Sequence, residues 1–92
     1  MRALVTPTFA RASKKLHPSQ KQELDQAVRA LMLDPMLGEG KVGDLLGVRV
    51  YKFRLGKQLC LLAYRPIDPD TVRLLTFGAH ENFYRDLKRV ES

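Results

Sequence analysis

His80 and Tyr84 stand just beyond an apolar run from Val72 to Phe77, within Gly78-Ala79-His80-Glu81-Asn82-Phe83-Tyr84-Arg85-Asp86-Leu87-Lys88-Arg89. Spaced at i and i+4, the two side chains share one face of a helix. Imidazole titrates near neutrality and both gives and takes a proton. A phenol stacks on a base or hydrogen-bonds a phosphate. Upstream, Val48 to Leu55 alternates as a strand does, with Tyr51, Phe53 and Leu55 on one face and Lys52 and Arg54 on the other. The two cations then lie about 7 Å apart along the strand.

These residue types fit one reaction. RNA is cut without a metal when its 2′-hydroxyl attacks the adjacent phosphate. That route needs a base at the 2′-oxygen, cations for the charge growing on the phosphoryl group and an acid at the 5′-oxygen. Lys52 and Arg54 supply cations, Arg54 with bidentate reach; His80 supplies the proton chemistry and Tyr84 a stacking or hydrogen-bonding surface. The same residues also read as a solvated sheet face and a structural histidine at a strand end. The site exists only if the last strand brings His80 near Lys52. Metal chemistry finds no support, because His17 and His80 are far apart and there is one cysteine. Cys60 lies between Leu59 and Leu61 in an apolar run, so a cysteine hydrolase finds none either. No cofactor is expected.

The chain that must position these groups has 92 residues, 45% of them hydrophobic and 28% charged, as expected of one soluble domain, residues 1–92. A chain this size buries about 60–65% of its unfolded surface. No apolar run reaches the ~20 residues needed to span a bilayer, and the N-terminus is too short and polar for a signal peptide. A lone buried thiol fits the cytoplasm. Sixteen lysines and arginines against ten acids give a net charge of +6. Before Glu23 the cations Arg2, Arg11, Lys14, Lys15 and Lys21 meet no acid. From Gly47 to Ile67 neither do Arg49, Lys52, Arg54, Lys57 and Arg65. Such segregation favours a polyanionic partner, nucleic acid or an acidic protein segment.

Ala3 to Thr6 reads as a first strand, after which Thr6 caps a helix with Pro7 at its first position. Phe9, Ala12 and Leu16 follow at helical spacing. Pro18 and Ser19 restart a second helix carrying Leu24, Ala27, Val28 and Leu31, and Asp34-Pro35 ends it. Together they predict a helical hairpin with one apolar stripe, packed on the Tyr51, Phe53 and Leu55 face. Met36 to Leu46 reads as a flexible loop; Gly38-Glu39-Gly40-Lys41-Val42-Gly43 lacks the flanking strand and helix of a phosphate-cradling loop. Three strands follow: Val48 to Leu55, a turn at Gly56-Lys57, Leu59 to Arg65, a turn over Pro66 to Asp70, and Thr71 to Phe77. Phe83, Leu87 and Val90 give the last helix its stripe. With the sheet's other face left uncovered, Lys52 and Arg54 should stand on open surface. The fold class is α+β: an N-terminal strand and a helical hairpin on an antiparallel sheet, with a short C-terminal helix.

This order of parts resembles the RelE/ParE superfamily of toxins from bacterial type II toxin–antitoxin systems, over nearly the whole chain. The stretches that carry the resemblance are Gly47-Val48-Arg49-Val50-Tyr51-Lys52-Phe53-Arg54-Leu55, Leu61-Leu62-Ala63-Tyr64-Arg65 and Gly78-Ala79-His80-Glu81-Asn82-Phe83-Tyr84. RelE-like members carry alternating cations where Lys52 and Arg54 stand. YafQ-like members take catalytic groups from a Gly-x-His motif and an aromatic four residues on, matching His80 and Tyr84. The resemblance implies a toxin that cuts mRNA on the ribosome, or one that poisons DNA gyrase as the ParE branch does, silenced by a cognate antitoxin. An RNA substrate would be expected to meet Lys14, Lys15, Lys57, Arg65 and Arg85 as well. One departure stands out. RelE carries a catalytic arginine entering the second of the three strands, where this chain reads Gln58-Leu59-Cys60-Leu61. Weaker activity, a histidine-based scheme, and a degenerate toxin that only binds its antitoxin are all left open.

Overall fold

Alternation along the central strand decides how the layers stack. The structure is a computed structural model and describes residues 1–91. Its elements run β1 (Arg2–Val5), α1 (Pro7–Lys14), α2 (Pro18–Leu33), β2 (Glu39–Gly40), a 3₁₀ turn (Gly43–Leu45), β3 (Arg49–Leu55), β4 (Gln58–Asp68), β5 (Thr71–Ala79) and α3 (His80–Glu91). The sheet order is β1-β5-β4-β3-β2; β1 lies parallel to β5 and every other pair is antiparallel.

Thr6 joins the first strand to the first helix. Its hydroxyl accepts the Phe9 N–H at 3.1 Å as the N-cap of α1 and donates to the Leu75 carbonyl of β5 at 2.6 Å. A residue earlier the chain is still strand; a residue later Pro7 presets the helical φ. The two helices bury Phe9, Leu24, Ala27 and Leu31 against Phe53, Leu55, Cys60, Leu62, Tyr64, Val72 and Leu74, with Tyr51 packed at the margin. The expected core face of β3 is therefore the one under the hairpin. The β3–β4 turn uses Gly56 at φ +62°, a left-handed conformation that suits glycine. The Glu23 carboxylate of α2 accepts the Gly56 N–H at 2.9 Å, tying helix to turn.

Two expectations are corrected. The face bearing Lys52 and Arg54 is not open along its length: Leu45, Phe83 and Leu87 bury Val48, Val50, Leu61, Ala63 and Leu75 beneath the 3₁₀ turn and α3. Only its far end, at Lys52 and Arg54, is exposed. The unbroken run Cys60-Leu61-Leu62-Ala63-Tyr64 is buried throughout, the mark of a strand covered on both sides. The Met36 to Leu46 segment is also more than a loop. Glu39 and Gly40 pair with Val50 and Arg49, adding an edge strand. Its anchor is Tyr64, wholly buried, whose hydroxyl donates to the Pro35 carbonyl at 2.7 Å and accepts the Gly38 N–H at 2.9 Å. A methyl group on Gly38 would come within 2.9 Å of both the Tyr64 ring and the Val50 carbonyl, so only glycine fits there. Among the described residues, no helix is long and apolar enough to cross a membrane.

Candidate functional site

Strand register sets the site. Lys52 pairs with Leu61 and Leu61 with Gly78, so one row crosses β3, β4 and β5. Two residues past Gly78 the strand becomes α3 without a loop, and His80 is the first helical residue, exposed at the rim of the sheet. Tyr84 follows one turn later, half-buried, its ring edge-on to the imidazole with centroids 6.0 Å apart. Buried Phe83 roots this turn and meets Tyr84 edge-on at 5.1 Å.

The result is a cleft of about 200 Å³ lined by Glu39, Lys41, Lys52, His80 and Tyr84 over an apolar floor of Val50, Leu59 and Leu61. Lys41 reaches it from the end of β2. Its ammonium lies 5.5 Å from the centre of the Tyr84 ring and 3.3 Å from the Glu39 carboxylate. The hydrogen bond with Tyr84 is the main cause that raises the Lys41 pKa; partial burial opposes it and Glu39 adds to it. Two cations, an imidazole and a phenol over an apolar floor suit a phosphodiester with a base stacked beside it.

Of the residues expected from sequence, Lys52, His80 and Tyr84 come together here. Arg54 does not line the cleft: its guanidinium donates to the Lys57 carbonyl at 3.3 Å, within the hairpin turn. Lys57 is exposed in that turn. Lys14 and Lys15 close α1, in the layer across the sheet. Arg65 lies four residues along β4 from Leu61, about 13 Å away at strand rise, and donates to the Leu46 carbonyl at 3.1 Å. Arg85 is exposed on α3 beside Asp86, 3.9 Å away. Cys60 faces the helical core, where burial pushes its thiol pKa up and keeps it unreactive. Lys41 and Glu39 also line the cleft and are not among the residues expected from sequence. Their signal was the alternation Gly38-Glu39-Gly40-Lys41, which puts two charges on one face of a strand and lets glycine backbone approach a neighbour.

Residues 3–88 match the sequence model of the ParE-like toxin of type II bacterial toxin-antitoxin system. The chain belongs to this family. The toxin's fold is that of E. coli RelE: in the intact E. coli RelBE toxin-antitoxin complex the TM-score is 0.70 at 18% identity, covering 86% of this chain and 95% of that one. A doubly substituted E. coli RelE in the free state gives 0.71 at 18% identity over 95% and 94% of the two chains. The RelE of an archaeal RelE–RelB complex from Pyrococcus horikoshii gives 0.56 at 15%, over 87% and 94%. No curated protein matches.

Proposed function

We propose that the toxin is a ribosome-dependent mRNA endoribonuclease, working without a cofactor and held inactive by a cognate antitoxin. The convergence of Lys52, His80 and Tyr84 in one cleft carries this reading. The 2′-oxygen bonds to phosphorus as the bond to the 5′-oxygen breaks; the 2′-hydroxyl loses its proton and the leaving oxygen gains one. His80 takes the 2′-hydroxyl proton, solvent water gives one to the leaving 5′-oxygen, Lys52 neutralises the phosphoryl oxygens, and Tyr84 holds the base or the phosphate. So small and open a cleft orients RNA weakly, and the ribosome supplies the in-line geometry. Arg54 joins only if it leaves the Lys57 carbonyl. A second reading, a ParE-like gyrase inhibitor, draws support from the ParE-like description of the matching family and needs no proton transfer. Induced expression followed by mapping of mRNA 5′ ends separates the two. Discrete new ends within translated codons are expected; growth arrest with intact mRNA and DNA damage would favour gyrase.

A further inference from the structure

We propose that Lys41, carried into the cleft by β2, is the second cation of an RNA-phosphate site, with Glu39 holding its ammonium until phosphate displaces the carboxylate. The RNA substrate rests on the nuclease reading above; the anion-binding role rests on geometry alone. The Lys41 N–H donates to the Val48 carbonyl at 2.9 Å, continuing the β2–β3 pairing by one residue. Strand alternation then puts Glu39 and Lys41 on the same face as Val50 and Lys52.

The other strands leave this place to Lys41. β4 gives the cleft only Leu59 and Leu61, and Arg54 is engaged in the hairpin turn. Without Lys41, Lys52 alone would face the negative charge that spreads over the phosphoryl oxygens during in-line attack. With it, one ammonium arrives from β2 and another from β3. The Lys41 side chain is only 22% exposed, whereas that of Glu39 is 73% exposed. Ordering a lysine costs rotamer entropy, and an ion pair to so exposed a carboxylate returns little stability. The contact therefore makes little sense as a structural tie and is easily exchanged for a stronger anion. The Tyr84 ring fixes where the ammonium waits. Tyr84 and Glu39 both push the Lys41 pKa up, favouring the charged ammonium.

The test titrates a short 2′-O-methyl oligoribonucleotide, which lacks the attacking hydroxyl, into the intact toxin and measures ribosomal mRNA cleavage in parallel. Loss of one charge-assisted contact is worth about 10- to 100-fold, so Lys41→Ala should weaken oligonucleotide binding and slow cleavage by that range. Lys41→Arg should restore most of both. Glu39→Gln should act in the opposite direction and tighten binding a few-fold, with melting temperatures nearly unchanged throughout. Should Lys41→Ala fail to fold, Glu39→Gln decides alone, and unchanged or weaker binding overturns the proposal. If the wild type cleaves and Lys41→Ala binds and cleaves equally well, Lys41 is excluded and the nuclease reading stands. If oligonucleotide binding depends on Lys41 but no mRNA is cut, the nuclease reading falls and the anion site stands. A wild type that neither binds nor cuts overturns both.

Discussion

His80 is exposed at the first position of α3, with a tyrosine at its edge. An exposed side chain of this kind can be removed with little effect on packing, so function and stability separate cleanly. On the nuclease reading, His80→Ala should lower ribosomal cleavage by about 10²–10⁴, the usual worth of one positioned proton-transfer group. Its melting temperature and antitoxin binding should stay near those of the wild type. His80→Gln keeps hydrogen bonding without titration and should be nearly as inactive. Lys52→Ala differs, because the cation acts on bound and transition-state phosphate alike; it should weaken ribosome affinity as well as rate. A stable His80→Ala protein that still arrests growth would overturn the nuclease and promote the gyrase reading.

Among the elements, β2 has the most leverage for its size. Two residues of strand could not hold themselves to a sheet edge; the Tyr64 hydroxyl, bridging Pro35 and Gly38 from inside the core, holds them. Tyr64→Phe removes that bridge and leaves a buried N–H and a carbonyl without their partner, at a cost of about 1–3 kcal/mol. Gly38→Ala forces a methyl group against the Tyr64 ring and the Val50 carbonyl, where backbone must move. Both variants should melt several degrees lower in thermal denaturation, and amide exchange should speed up first and most at β2 and less at β4. They should also reduce activity more than melting alone accounts for, since β2 carries Lys41 to the cleft. Activity unchanged per folded molecule would detach β2 from the site.

At the scale of the whole toxin, a net charge of +6 is spread well beyond the cleft. Lys14, Lys15, Lys57, Arg65 and Arg85 stand on other parts of the surface, which suits an extended anionic partner better than a small ligand. On the nuclease reading, ribosome binding should therefore weaken steeply as salt rises, as counterion release requires. Naked mRNA should be cut poorly by the purified toxin and translating ribosomes should restore cutting, because orientation is what the open cleft lacks. Primer extension on the same transcript with and without ribosomes measures this. Robust cutting of free RNA would remove the ribosome from the mechanism. An acidic, partly apolar antitoxin segment would meet the same charge, and its affinity should also fall with salt.

Sequence by itself determined what depends on neighbours along the chain. The Thr6-Pro7 cap, the Leu24, Ala27 and Leu31 stripe, the Tyr51, Phe53 and Leu55 face, and the His80/Tyr84 pair follow from helix and strand periods and from capping chemistry, which act over a few residues. The continuous apolar run of β4 also held the sign of a second covered face, although alternation on β3 alone suggested an open one. Tertiary structure decided the rest. Whether Lys52 meets His80 depends on register across three strands, and Leu61 and Gly78 fix it through pairings distant in sequence. Arg54 shares the face of Lys52 by alternation, yet its long side chain turns to the Lys57 carbonyl, a choice among rotamers that strand period does not govern. Lys41 enters only because buried Tyr64 and a side-chain-free Gly38 let a connecting segment dock as β2. Local chemistry chooses the elements; only long-range packing brings their side chains into one cleft.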